Sequence, residues 1–341
     1  MTPSGSPGGP CTPPSTPAGG PCGSWRPTRP AAPRPPCARC PASSSWHRAP
    51  IPPGRWADGT SPVGEFRRDR GGHVIPVAEP EIFPVHRGKR FIVTGGTGGV
   101  GAATAELLLR EGASVVIADL SAAASAALAE RLGGPGRGAH GVGLDLRDPA
   151  SVAAAAERSF DLLGGVDGLA NAAGVVEIAP ALRHARPLWE AQFGVNVFGP
   201  FELSRLVAER MIEQGGGGGI VNVASEAGKN GHPDMVAYNA SKAAVINWTR
   251  VAAAEWAPYA INVNCVCPGG VATPMLRQVA DAHAAAGSGD ADAVFAYMAN
   301  EQLGRHIAPV EVAWAVSFLL GDRVQGIRGQ SINVDGGVSP Y

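Results

Sequence analysis

The rhythm of hydrophobic and polar positions changes once along this chain. Up to about residue 85 neither a 3.6-residue nor a 2-residue period survives, because Pro and Gly interrupt every short apolar run. From Lys89 onward, short apolar runs alternate with longer amphipathic ones. Arg90-Phe-Ile-Val-Thr94 reads as a buried strand, and an Ala/Leu-rich helix follows to about Glu111. Ser114-Val-Val-Ile-Ala118 reads as a second strand closed by Asp119. Strand-like runs recur at 140–144, 166–170, 219–224, 261–265 and 330–334. Helical stretches lie between them, near 149–163, 187–214, 237–257 and 309–320. This alternation predicts a parallel sheet covered on both faces, and right-handed crossovers make it doubly wound. The 255 residues from Arg87 onward accommodate about seven strands in one α/β domain, expected over 86–341.

Composition separates the remaining segment, 1–85, from that domain. Residues 1–60 hold 16 of the 31 Pro, four of the six Cys and a single acidic residue, Asp58. Such a segment is expected to be a disordered or extended Pro/Gly/Arg-rich tail that buries little surface. Its Arg-rich, acid-poor character resembles a transit peptide, but Pro at this density opposes the amphipathic helix such peptides use. Translation from a start placed too far upstream is the favoured reading. Cys37-Ala38-Arg39-Cys40 has the spacing of half a zinc site, yet no second pair follows, so no metal is expected.

Charge removes other classes. With 28 Lys+Arg against 29 Asp+Glu, no basic excess points to nucleic acid. No apolar run reaches the roughly 20 residues that span a bilayer, and six Cys in so long a chain do not make a disulfide scaffold. A cytoplasmic protein is expected.

The chemistry concentrates just after the strands. The first strand runs into Gly95-Gly-Thr-Gly-Gly-Val-Gly101 and then a helix, the layout in which glycines let a backbone approach a pyrophosphate at a helix N-terminus. No Lys-Ser or Lys-Thr follows, which excludes a P-loop. Asp119 lies 18 residues beyond Gly101, where a carboxylate reaches ribose hydroxyls. Strand three leads to Asp145 and Leu146, strand four to Asn171-Ala-Ala-Gly174, strand five to Ser225, and strand six to Pro268-Gly269. Tyr238 and Lys242 stand four apart on one helical face, 13 residues and more beyond Ser225. Ser225 sits in Val-Ala-Ser-Glu-Ala, which is not the elbow of a serine hydrolase. The run Gly215 to Gly219 reads as a loose loop.

These motifs, in this order, resemble the short-chain dehydrogenases/reductases over residues 88–341. The resemblance implies a Rossmann fold and a catalytic tetrad of Asn196, Ser225, Tyr238 and Lys242. It implies a dinucleotide held by Gly95, Thr97, Gly99, Val100, Gly101, Asp119, Leu120, Asp145, Leu146, Asn171, Ala172 and Gly174. Tyr238, Lys242, Pro268, Gly269, Val271 and Thr273 complete that set. Tyr238 is the expected general acid/base, its pKa lowered by Lys242 and the oxidised nicotinamide together, with Lys242 also holding the nicotinamide ribose. Ser225 is expected to bind the reacting oxygen, and Asn196 to position a water relay. Asp119, followed by Leu120 rather than a cation, points to NAD over NADP.

The expected activity is hydride transfer between NAD and a secondary alcohol or ketone, with a polyol or cyclic alcohol slightly favoured by Ser225-Glu-Ala-Gly-Lys229. A 3-oxoacyl-carrier reductase, an enoyl reductase or epimerase, and a non-catalytic NAD-binding protein are the alternatives. Glu226 and Asp234 are candidate contacts for a polyhydroxyl substrate or plain solvated carboxylates, and His232 and His306 flank the same region. The segment from Thr273 to about Ile307 is the expected lid. By resemblance, the helices at 187–214 and 237–257 pair subunits into a homodimer or homotetramer.

Overall fold

The computed structural model describes residues 67–68, 74–75, 83–300 and 302–339. Seven parallel strands form one sheet: β1 Arg90–Thr94, β2 Ser114–Asp119, β3 Ala139–Gly143, β4 Gly168–Asn171, β5 Gly218–Val223, β6 Ile261–Pro268 and β7 Ser331–Val334. Their order is β3-β2-β1-β4-β5-β6-β7. The direction of winding reverses between β1 and β4, so a crevice opens at the carboxyl ends of these two strands. Thr94 pairs in register with both Ala118 and Asn171, and Asn171 with Asn222, which sets four strand ends level with one another.

The sheet is buried on both faces, and the period-2 alternation along β1 divides its residues between two cores. Ile92 packs with Val116, Leu169, Leu203, Val207 and Met211 on one side. Phe91 and Val93 pack with Leu108, Ile117, Val312 and Val316 on the other. The first core carries helices α3 (Pro149–Leu163), α5 (Gly199–Gln214) and α6 (Val236–Glu255). The second carries α1 (Gly99–Arg110), α2 (Ala122–Arg131) and α9 (Pro309–Leu320). Helix α2, Ala-rich and unremarkable in its pattern, was not expected. It is capped by Ser121, whose hydroxyl accepts from Ala124 N at 3.2 Å, and it packs with its backbone directly against Gly141 of β3.

The expected single helix over 187–214 is in fact three pieces: α4 (Arg186–Phe193), a π-helical turn at Gly194–Phe198, and α5. Pro200 explains the break. It has no N–H to offer the carbonyl of Asn196, so the α-helical register cannot run through this point, and a wider turn absorbs the mismatch. The glycine run is tighter than a loose loop. Gly215 caps α5 in the left-handed region at φ 72°, and Gly218 and Gly219 already belong to β5.

At the start of the domain, His86 fastens the entering chain to α1 and α9. Its ring stands edge-on to Phe91 at 5.0 Å, and its Nε2 lies 3.1 Å from Ser317 Oγ, which donates to Glu111 Oε2 at 2.6 Å. Within the segment expected to lack regular structure, Arg67–Arg68 and Val74–Ile75 pair as a two-residue antiparallel ladder. The rest of that expectation, Cys37 and Cys40 included, lies outside the described residues. Among the described residues no helix is long and apolar enough to cross a membrane, and no cluster of His, Cys, Asp and Glu is suited to a metal ion.

Candidate active site

The glycine turn after β1 is shaped by close approach. Gly95 adopts φ 61°, and a Cβ there would lie 2.5 Å from Ala173 Cα, so this corner of the crevice admits no side chain. Gly101 lies against the carbonyl of Gly95 with as little room, and a Cβ on Gly99 would meet Thr273 Cγ2 at 2.5 Å. Helix α1 therefore begins with bare backbone. Its N-cap is Gly98, no side chain caps it, and no acid sits in its first turn. An N-terminus of this kind favours a phosphate, and the residues present fit the pyrophosphate of a dinucleotide.

Asp119 closes on the same turn. Its Oδ2 accepts from Thr97 N at 2.9 Å and Thr97 Oγ1 at 2.6 Å, while Oδ1 accepts from Leu120 N at 2.7 Å. Each oxygen keeps acceptor capacity for a ribose hydroxyl. Leu120 itself is exposed. Asp145 is turned to Arg147, which donates to its two oxygens at 3.0 and 2.7 Å and holds the carboxyl below the usual carboxylate range. Leu146 is buried in the sheet core, so only its backbone is left for a ligand. Val100 packs its side chain against the α1/α9 core.

Asn171 looks inward. Its Nδ2 donates to Ser204 Oγ and Asn222 Oδ1, both at 2.9 Å, and Asn222 Nδ2 donates to Thr249 Oγ1 at 2.9 Å. This polar chain ties β4, β5, α5 and α6 together beneath the crevice. Ala172 follows directly, and Ala173 N donates to Thr94 Oγ1 at 3.3 Å.

The four expected tetrad members converge from three elements. Ser225 follows β5 and caps a short 3₁₀ turn, and it hydrogen-bonds the Tyr238 side chain from α6. One turn along α6, Lys242 Nζ lies 5.7 Å from the Tyr238 ring centre and donates to Val223 O at 2.9 Å. Asn196 projects from the π turn. Its Oδ1 accepts from Val175 N at 2.9 Å, and its Nδ2 donates to Val175 O and Ser241 Oγ, both at 3.0 Å. Gly174 is the hub, since a Cβ there would sit 3.4 Å from both Asn196 Oδ1 and Lys242 Nζ. Ser241, absent from the expected set, bridges Asn196 to the Tyr238 carbonyl, to which it donates at 2.8 Å. Its position three residues after Tyr238 was the available signal.

Without a cofactor, the Tyr238 pKa lies above its ordinary value. Burial pushes the Tyr238 hydroxyl up to about 12, against the opposing hydrogen bond from Ser225, and the Glu226 charge pushes it further the same way. Lys242 does not lower it in the protein alone. Burial brings Lys242 itself down to about 8. In the protein alone the desolvation of the phenol sets the direction, and the Lys242 ammonium, which gives one of its three N–H groups to Val223 O, does not reverse it.

After β6, Pro268 and Gly269 lead to Val271, which bridges to Ile307, and to Thr273, which caps helix α7 (Pro274–His283). The expected lid is built from α7, a turn at Ala284–Ser288 kinked at Gly287 (φ 99°), and helix α8 (Ala291–Tyr297). Arg277 joins the two helices through Asp292 of α8 at 2.5 Å and also pairs with Asp281 of its own helix at 3.0 Å. His306 stacks on Phe295 at 4.3 Å and is part of the lid framework. Glu226 is not a solvated carboxylate. Its Oε1 meets His232 Nε2 at 2.7 Å and its Oε2 accepts from Asn230 at 2.9 Å, and this pairing raises the His232 pKa.

A doubly wound sheet with a bare glycine turn at its switch point defines the class of dinucleotide-binding oxidoreductases. Within that class, the short chain dehydrogenase family model matches residues 89–284, and the chain belongs to this family. A D-threitol dehydrogenase of Mycolicibacterium smegmatis is 38% identical over 251 residues, covering 73% of this chain and 92% of the relative. An actinorhodin polyketide ketoreductase solved with NADPH superposes with a TM-score of 0.70 at 31% identity, over 74% of this chain and 98% of that one. A 3-ketoacyl-(acyl-carrier-protein) reductase from Brucella melitensis complexed with NADH gives 0.65 at 30% identity, over 74% and 98%.

Proposed function

We propose that this chain is an NAD(H)-dependent alcohol dehydrogenase or carbonyl reductase in which Tyr238 is the general acid/base. The observation that carries this reading is the convergence of Ser225, Tyr238, Lys242 and Asn196 around Gly174 at the crevice. A bound nicotinamide supplies or accepts the hydride and, when oxidised, adds a positive charge beside the phenol. Tyr238 gives up or takes the proton that must move with it. Ser225 steadies the charge developing on the substrate oxygen. Lys242, through a water positioned at Asn196, passes the proton between Tyr238 and solvent. The names of the relatives, a polyol dehydrogenase and two ketoreductases, support an alcohol/ketone pair as substrate.

NAD rather than NADP follows from Asp119. A 2′-phosphate would bring about two negative charges against this carboxylate, and close like-charge contact costs several kcal/mol. Leu120 offers no compensating cation. Taking about 2.7 kcal/mol as the lower bound, initial rates should favour NAD by at least roughly a hundredfold in kcat/KM. Asp119→Ala combined with Leu120→Arg should shift the preference toward NADP. Equal use of the two cofactors by the unmodified protein would place Asp119 elsewhere than at the ribose.

A homotetramer is part of the same reading. Phe198 and Phe201 stand 64% and 41% exposed at the α5 end, and Trp314 and Phe318 stand 45% and 55% exposed, four apart on α9. Two separate apolar faces suit a closed assembly with two self-complementary interfaces.

A further inference from the structure

We infer that the non-reacting part of the substrate is compact and apolar, an alicyclic or short aliphatic secondary alcohol or its ketone, and not a polyol. The inference rests on the alcohol/ketone reading above and selects the substrate class within it.

Tyr238 is embedded in an apolar cluster with Val176, Ala227 and Val279, against which Ile178, Met235, Met275 and Met298 pack half-buried. Three of the five methionines of the chain thus meet at one tyrosine. They arrive from three separate segments: the loop before α6, the first turn of α7, and the residue after α8. Met275 reaches the tetrad itself. Its Cε lies 4.0 Å from the point where a Cβ on Gly174 would sit, the same point that is 3.4 Å from Asn196 Oδ1 and Lys242 Nζ.

This wall is fixed in place. Asp234 holds a left-handed conformation, φ 62°, and its carbonyl accepts from Ala179 N at 2.8 Å, which ties Met235 to the segment carrying Ile178. Unbranched, polarisable thioethers adapt to apolar shapes of differing outline.

Glu226, Asn230 and His232 at the same mouth are engaged with one another. Both Glu226 oxygens are engaged, by His232 and by Asn230, and Asn230 also donates to Ser339 Oγ at 2.8 Å. Asn239 donates to the His232 carbonyl at 3.0 Å, and its buried Oδ1 is the one side-chain acceptor here without a partner among the described residues. With Ser225 and Tyr238 assigned to the reacting oxygen, the further hydroxyls of a polyol would mostly face sulfur and hydrocarbon, with Asn239 Oδ1 able to take one at most. Each one buried without a partner should lower kcat/KM by about tenfold.

The test compares kcat/KM with NAD for cyclopentanol, cyclohexanol and 2-pentanol against threitol and erythritol. The apolar alcohols should lead by at least about a hundredfold. In Met275→Thr and Met298→Thr that lead should shrink by about tenfold or more, while the dissociation constant of NADH, read by its fluorescence, stays within about twofold. Polyols preferred, or equal to the apolar alcohols, would overturn the inference and leave the dehydrogenase reading standing. No turnover of any alcohol or ketone with either cofactor would instead overturn that reading. Thermal stabilisation by cyclohexanone against threitol then decides the inference by itself. Stabilisation by cyclohexanone alone, weakened in Met275→Thr, supports it, whereas stabilisation by threitol alone, or by neither, rejects it.

Discussion

A tyrosine hydroxyl held near 12 by burial keeps its proton at neutral pH, so the protein alone poises Tyr238 to donate rather than to accept. The reaction asks this one oxygen to change state, while its ring serves only to pack among Val176, Ala227 and Val279. Tyr238→Phe keeps the packing and deletes the titrating group. Turnover should fall by about a thousandfold, and NADH affinity should stay within about threefold, as read by fluorescence titration. A variant retaining more than about a tenth of the wild-type rate would remove Tyr238 from the chemistry. The identities of Ser225, Tyr238 and Lys242 were legible in the sequence because a polar side chain just after a buried strand, or on a helix's inward stripe, demands a reason. The direction of the Tyr238 pKa was not legible. It depends on how completely the surrounding apolar cluster excludes water, and that cluster is assembled from segments more than a hundred residues apart.

Elements whose pattern is strong were readable to within a few residues. The short apolar run 91–93 of β1, closed by the glycine turn, reads as a buried strand, and α6 shows its inward stripe plainly. The π turn that presents Asn196 was hidden inside what reads as one long helix, although Pro200 marks it. Helix α2 was hidden for the opposite reason, since a helix of Ala and Ser has almost no polar face to set against an apolar one. The entry segment at His86 was legible only as a boundary. Burial lowers the His86 pKa below 6.5, outweighing the hydrogen bond to Ser317 and the charge of Asp322, while Lys89 adds to the lowering. Burial likewise raises Glu111, against its hydrogen bond from Ser317. As pH falls through 6.5 toward the folded-state value, the unfolded chain binds a proton on this histidine that the folded chain refuses, so stability falls. Glu111 works in the other sense, gaining stability as it takes up its proton at lower pH. His86→Gln should therefore flatten the loss of thermal stability between about pH 6.5 and pH 5, a slope of at most about 1.4 kcal/mol per pH unit for one proton. An unchanged slope would mean that the titration lies in other groups.

At the scale of the whole molecule, the doubly wound architecture could be read from the alternation of strands and helices and the placement of the glycine turn. Surface apolar faces could not be read so directly. Phe198, Phe201, Trp314 and Phe318 look like ordinary core residues until the sheet takes up its share of the helices and leaves them outside. Phe201 stacks edge-on against Trp248 of α6 at 5.6 Å, so that face is already ordered before any partner meets it. Light scattering should give four times the chain mass. Phe318→Glu should reduce the assembly to a smaller species without loss of the fold, because the side chain is exposed in the single chain. A monomer mass for the unmodified protein would contradict the proposed assembly.

The central claim is that this chain moves hydride directly between a secondary alcohol and a nicotinamide, with Tyr238 handling the accompanying proton. It is tested most directly with alcohols deuterated at the carbinol carbon, incubated with NAD and the full-length protein, and mass analysis of the nicotinamide formed. Deuterium should appear in the reduced cofactor of the wild-type reaction and be almost absent from that of Tyr238→Phe over the same interval. Reduced cofactor without the label, or equal labelling by both proteins, would contradict it.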